Sequence, residues 1–332
     1  MKTIFAPLLF AIAFAQAHAD AGADLATKAQ ALLDANPEAR AIEGRDGWLF
    51  LANELRHVAK GTDWVAPEVP PEPAHADPIP ALTELKAQLD ELGIELVLVP
   101  VPAKAVVYPE QLPGDATEGE EPSGATAFLD HMREQGFTVV DLEALYKTHK
   151  TETLVYCKTD THWSPQGVEL AADAVGKLLR EQDWYAEAET VAISLEDPVD
   201  LRIRGDLTDG DYSESLPWRK VTRDEGGALL DDASPVLVLG DSHTLVFGDG
   251  GDMHAQSGGF IEHLAHALQM PVDRMANRGS ASTPPRLTLF RKASGNEDWL
   301  TNKKVVVYTF TARELTESLN GWRIVPIAPR FR

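Results

Sequence analysis

Apolar positions along this chain fall into two periods. Val236-Leu237-Val238-Leu239 is apolar at every position, as in a parallel strand covered on both faces. Ile94–Pro100 is nearly continuous in the same way. Elsewhere the spacing is helical. Leu25, Ala29, Leu32 and Leu33 share one face of 24–40. Ser164-Pro165 opens a helix that runs to about Arg180, with Val168, Ala171, Ala172, Val175, Leu178 and Leu179 on one side. Serine can cap the free N–H groups there, and proline fits the first turn. Further helices are expected at 81–92, 125–135, 258–269 and 312–319. Further strands are expected at Trp48–Phe50, 137–141, 272–276 and 304–310, and an apolar segment ends at Leu154-Val155-Tyr156. Strands alternating with amphipathic helices predict an α/β fold, a doubly wound, mainly parallel sheet flanked by helices.

Two stretches interrupt the pattern. Residues 66–80 are proline-rich, and proline removes backbone donors and fixes φ, so they read as an extended connector. Residues 111–124 form an acidic Gly/Pro loop. Before them lies a targeting segment. Lys2 gives a weakly positive start, Ile4–Ala15 is an apolar run short of a bilayer span, and Ala17-His18-Ala19 supplies a small-x-small cleavage pattern. The expected division is a signal peptide over 1–19, an N-terminal extension and connector over 20–80, and one catalytic domain over 81–332 on which the extension packs. The mature protein is expected to be soluble and periplasmic.

Composition narrows the function classes. The chain has 332 residues and a net charge of −22. An acidic balance argues against nucleic acid, which needs a concentrated basic surface. The single cysteine excludes an intrachain disulfide and a cysteine-based zinc cluster.

Two short stretches carry the chemistry. Gly240-Asp241-Ser242-His243-Thr244 directly follows the buried strand 236–239, and active groups of open α/β sheets gather beyond the carboxyl ends of strands. A serine on a tight turn there has an accessible Oγ and nearby backbone N–H groups for an oxyanion. The second stretch is Asp160-Thr161-His162-Trp163, between a strand and a helix N-terminus. In an extended loop Asp160 and His162 point the same way, so the carboxylate can fix the imidazole while the other ring nitrogen faces a serine. With Ser242 they complete a Ser-His-Asp set.

These motifs resemble a known family. The G-D-S turn is similar to the nucleophile block of SGNH/GDSL hydrolases. An Asp-x-His block that precedes the serine is similar to the alginate O-acetyltransferase family of the AlgX/AlgJ type. Gly44-Arg45-Asp46-Gly47-Trp48-Leu49-Phe50, and Val305–Phe310 with Arg313-Glu314, extend the likeness over roughly 40 to 320. It implies an SGNH hydrolase-like fold, a triad of Asp160, His162 and Ser242, and acetyl transfer to an exopolysaccharide such as alginate through an acetyl-serine. It also implies a membrane O-acyltransferase as the acetyl-donor partner. Asn277-x-Gly279 resembles the SGNH glycine block and could supply an oxyanion donor, whereas the G-x-N-D block is absent. The chain resembles the short, single-domain type without a carbohydrate-binding domain.

Other functional readings are an acetylesterase sharing the acyl-enzyme, or a non-catalytic polysaccharide-binding assembly component. His243 is a candidate substrate contact. Arg278, with Arg286, Arg291 and Lys292, makes a locally basic region for an anionic sugar. Cys157 reads as a buried thiol. His254, His263 and His266 lack a carboxylate or cysteine set to complete a site, so no metal and no cofactor are expected.

Overall fold

The structure, a computed structural model, describes residues 25–114, 122–208 and 212–331. The expected signal peptide and most of the acidic loop lie outside these residues. Five parallel strands form the centre: β1 (Glu95–Val101), β2 (Thr138–Val139), β3 (Val236–Gly240), β4 (Asp273–Ala276) and β5 (Val305–Thr311). Their order is β4-β3-β5-β1-β2. Val305 pairs with Glu95 on one side and with Val236 on the other, so β5 lies at the centre of the sheet.

Alternate residues of each strand feed two cores. Val97, Val99, Val236, Val238, Val305 and Val307 face one layer, which holds α1 (Ala52–Ala59), α3 (Leu142–His149), α4 (Pro165–Arg180) and α5 (Phe260–Leu268). Leu96, Leu98, Leu237, Leu239, Val306 and Tyr308 face the other, which holds α2 (Gly124–Glu134) and α6 (Pro284–Gly295). A further helix, Ile79–Asp90, packs on this second face. Each apolar side chain so enclosed contributes about 1.5–3 kcal/mol. Covering both faces is why the strands carry no polar alternation. The fold is the expected α/β architecture, a parallel sheet with helices on both faces.

The N-terminal segment belongs to the same core. Ala29, Leu33, Trp48 and Phe50 are buried with the first layer. The helix expected over 24–40 ends at residue 35, because Pro37 cannot continue it. Ala41–Glu43 then pairs antiparallel with Leu49–Leu51 across the Gly44–Gly47 turn. The helix expected over 312–319 is a single turn, Glu314–Glu317, after which Ser318 is extended. Ser164 caps α4 as expected, accepting from Gly167 N–H at 3.0 Å. Two hairpin-like pairs went unpredicted: Ile193–Leu195 with Val221–Arg223, and Val199–Ile203 with Glu214–Trp218. No helix among the described residues is long and apolar enough to cross a membrane.

Candidate active site

Beyond the carboxyl end of β3 the chain turns sharply. Gly240 has no room for a side chain, since a Cβ there would meet Thr244 Cγ2 at 2.3 Å. Thr244 Oγ1 donates to the Asp241 carbonyl at 2.6 Å, and Asp241 Oδ1 accepts the His243 N–H at 2.9 Å. These bonds wind Ser242–Thr244 into one 3-10 turn with Ser242 at its head. Asp241 Oδ2 accepts the Thr311 N–H at 2.9 Å, fastening the turn to the end of β5. Burial works to raise the Asp241 pKa, but His243 and this N–H hold it below the usual carboxylate range.

Residues 157–164 meet this turn from the long connection between β2 and β3. Tyr156 bridges Trp163, so the loop closes on itself rather than running extended. The expected extended geometry is therefore replaced by an aspartate turn, in which Asp160 Oδ1 accepts the His162 backbone N–H at 2.9 Å. That turn still brings the two side chains together. His162 Nδ1–H donates to Asp160 Oδ1 at 2.5 Å, and Ser242 Oγ–H donates to His162 Nε2 at 2.8 Å. The bond to Asp160 sets the tautomer that leaves Nε2 free to accept. Asp160 and His162 are buried, while Ser242 is half-buried.

Charge follows from this geometry. Burial opposes ionisation of Asp160, but hydrogen bonds and attraction from His162 and His254 hold it well below the ordinary value. Burial likewise opposes charge on His162, but the Asp160 bond and the charges of Asp160, Asp206 and Asp241 carry it above the usual histidine value. His243, with its ring 4.7 Å from that of His162, goes the other way: burial lowers it to about 4, so it stays neutral at neutral pH.

Residues that sequence reasoning missed hold the loop over 157–164. Lys104, buried beneath it, donates to the carbonyls of Leu49, Lys158 and Asp160 at 3.0, 3.3 and 2.5 Å. Glu214 accepts the Lys158 and Thr159 N–H groups at 3.0 and 3.1 Å. Asp206 accepts from Thr161 N–H and Oγ1–H at 2.7 and 3.0 Å. Its own N–H donates to Asp160 Oδ2 at 3.0 Å. Asp160, His162 and Asp206 each offer an atom within 4.8 Å of the others. Both Asp160 oxygens and both Asp206 oxygens are already hydrogen-bond acceptors, and His162 Nε2 faces Ser242, so this donor set is committed to the network.

Residues 41–311 match the family model described as the SGNH hydrolase-like domain of acetyltransferase AlgX. The chain belongs to this family. The chain is also similar to two relatives and one solved structure. The probable alginate O-acetylase AlgJ of Pseudomonas putida is 27% identical over 291 residues, covering 82% of this chain and 70% of that protein. AlgJ of Pseudomonas aeruginosa is 31% identical over 140 residues, covering 42% and 33%. The solved O-acetyltransferase domain of Pseudomonas putida AlgJ superposes with a TM-score of 0.63 at 24% identity, covering 83% and 92%, and shares the fold.

In this AlgX-type domain the remaining candidates sit as follows. Asn277 follows β4 beside the Ser242 turn: its N–H donates to the Gly240 carbonyl at 3.0 Å, and its Oδ1 is buried without a partner among the described residues. Gly279 has a φ of 81°, which glycine tolerates. The backbone N–H groups of Ser242 and Gly279 meet no acceptor among the described residues. Arg278 is exposed and paired with Asp252 at 2.6 Å. The expected basic region is dispersed. Arg286 is buried, donates to the Ser282 carbonyl at 2.7 Å and lies over Trp322. Lys292 pairs with Asp232 and lies over Trp299. Cys157 is buried and its thiol is pushed well up, chiefly by burial. Burial lowers His263 to about 4.

Proposed function

We propose that this chain is an O-acetyltransferase whose nucleophile is Ser242, with His162 as general base and Asp160 orienting it. The line Ser242 Oγ, His162 Nε2, His162 Nδ1, Asp160 Oδ1, at 2.8 and 2.5 Å, carries the reading. Ser242 Oγ attacks the acetyl carbonyl of a donor ester while His162 takes its proton. We assign the negative oxygen so formed to the backbone N–H groups of Ser242 and Gly279 and the side-chain N–H of Asn277. His162 returns the proton to the leaving oxygen, and an acetyl-serine remains. A sugar hydroxyl then attacks this ester, losing its proton to His162, which passes it to the departing Ser242. Asp160 stays ionised throughout and stabilises the imidazolium.

The acceptor class follows the relatives, whose names specify alginate, so the acceptor is an exopolysaccharide such as alginate. Working outside the cytoplasm, behind the leader read over 1–19, the domain would receive acetyl groups from a membrane O-acyltransferase. At −22 the protein repels a polyanion except where cations are concentrated. Arg40 and Arg278, paired with Asp206 and Asp252, are exposed cations joined to the loops around the site. A sugar carboxylate can displace those aspartates.

The test is incubation with an acetyl-ester donor and mannuronate oligosaccharides. The expected result is acetylated sugar and an acetyl adduct on the Ser242 peptide by mass spectrometry. Release of free acetate alone, with sugar unmodified, would make the enzyme an esterase. An adduct on another residue would remove Ser242 as nucleophile.

A further inference from the structure

Asp160 receives more donors than one imidazole supplies. Its Oδ1 takes the N–H and Nδ1–H of His162. Its Oδ2 takes the Asp206 N–H at 3.0 Å and His254 Nε2–H at 2.9 Å. His254 comes from the segment that carries the nucleophile. Twelve residues after Ser242 the chain has looped round to reach the other oxygen of the carboxylate. One continuous stretch therefore touches the acid–base pair twice, at His162 through Ser242 and at Asp160 through His254.

The loop that does this is closed and strained. Gly258 N–H donates to the Phe247 carbonyl at 2.9 Å, Ser257 N–H to Gly248 at 3.1 Å, Gly250 N–H to Ala255 at 2.8 Å and Phe247 N–H to Met253 at 2.8 Å. Phe247, His254 and Ser257 have φ of 63°, 67° and 69°, a region that L-residues with a side chain seldom occupy. Such strain persists only where surrounding structure imposes it, and it clusters at working sites. The His254 side chain is only 12% exposed, and its ring lies 5.7 Å from that of Phe247.

We propose that His254 is a positioning residue for acyl transfer: from Asp160 Oδ2 it fixes the rotation of the carboxylate that aims Oδ1 at His162. This rests on the Ser242–His162–Asp160 reading above. A carboxylate anchored at one oxygen can turn about its Cβ–Cγ bond. Two donors on Oδ2 oppose that turn, and without His254 the Asp206 N–H alone remains. The cost falls on the step in which His162 moves a proton, because misplacing a catalytic group raises the barrier without weakening donor binding.

The experiment measures kcat and KM for an acetyl-ester donor in four proteins: wild type, His254→Asn, His254→Gln and Ser242→Ala. Asparagine keeps a polar amide but is too short to reach Asp160, whereas glutamine, on the same backbone, restores a donor at the reach of Nε2. Thermal unfolding confirms that all four fold. The expected result is a fall in kcat of about 10- to 100-fold in His254→Asn with KM unchanged, and recovery of most of it in His254→Gln. Native kcat in His254→Asn, a change confined to KM, or a loss that His254→Gln leaves unrestored would overturn the role. If Ser242→Ala is inactive in those cases, the triad reading stands without His254. If Ser242→Ala keeps full turnover, both fall together.

Discussion

Trp163 Nε1–H donates to the carbonyl of His243 at 3.1 Å. The residue after His162 is thus tied to the residue after Ser242, and the indole packs against Phe260 and the His243 ring. Trp163→Phe keeps most of that packing and leaves a buried carbonyl without its donor. It should destabilise the fold by about 1–3 kcal/mol. Turnover should fall about 10-fold, because an error on the order of 1 Å between Ser242 and His162 can cost up to 100-fold. Chemical unfolding and ester hydrolysis measured side by side check both; native turnover would mean that the tie does not set the register of the two loops.

Gly205 tests the clamp on the acid–base loop from the other side. A Cβ at this position would lie 1.9 Å from the Thr159 carbonyl oxygen and 2.1 Å from its carbon, and backbone cannot swing aside as a flexible side chain does. Gly205→Ala should push Thr159 away and disturb the bonds that this loop's N–H groups donate to Glu214 and Asp206. We expect a loss of about 1–3 kcal/mol. Activity should drop by more than that destabilisation explains at a temperature where the variant is fully folded. Full activity in the folded variant would show that the loop is not held from this side.

Lys104 is the buried counterpart. Its three ammonium protons match three carbonyls, of Leu49, Lys158 and Asp160. Its own N–H donates to Glu54 at 3.1 Å, and Glu54 also faces Arg313 at 3.6 Å. Burial lowers the pKa of Lys104 and raises that of Glu54, with each opposing the shift in the other. Lys104→Met preserves length but removes the charge and strands three carbonyls. Each buried carbonyl left without its donor costs about 1–3 kcal/mol, and the three together correspond to a fall in Tm on the order of 10 °C. A melting temperature within about 2 °C of wild type would show that this ammonium carries little of the loop's stability.

How much of this was legible in the sequence depends on how local the signal is. Val236–Leu239 announces a doubly covered strand because burial on both faces leaves no polar alternation. Ser164-Pro165 announces its helix because both residues act within the first turn. The Asp160, His162 and Ser242 set was readable because each motif lies next to a recognisable strand or helix end. Helices α3 and α6 went unread although each carried a signal: Asp141 caps Leu142–His149 by accepting from Ala144 N–H, and Pro284 opens α6. Arg286 was assigned to a basic surface because charge alone says nothing of the ring of Trp322 that covers it. Lys104, Asp206, Glu214 and His254 act across 45 to 94 residues of chain, and no local pattern encodes a partner at that distance.

The pH dependence of turnover follows from the opposing influences on His162. The imidazole accepts the Ser242 proton only when neutral, so activity falls as pH drops through its pKa in the folded protein. Burial would place that pKa below the ordinary value of about 6.5, but the bond to Asp160 and the charges of Asp160, Asp206 and Asp241 place it above. The acidic limb of kcat/KM should therefore have its midpoint above about 6.5 in wild type. Asp160→Asn removes the largest raising influence and leaves burial in force, so the midpoint should move to lower pH. The plateau should also fall, on the order of 10⁴-fold, because an amide does not fix the tautomer that leaves Nε2 free to accept. The two changes separate orientation from charge. A lowered plateau with an unmoved midpoint would mean that Asp160 aims the ring without setting its charge. An unmoved midpoint with a native plateau would mean that it does neither.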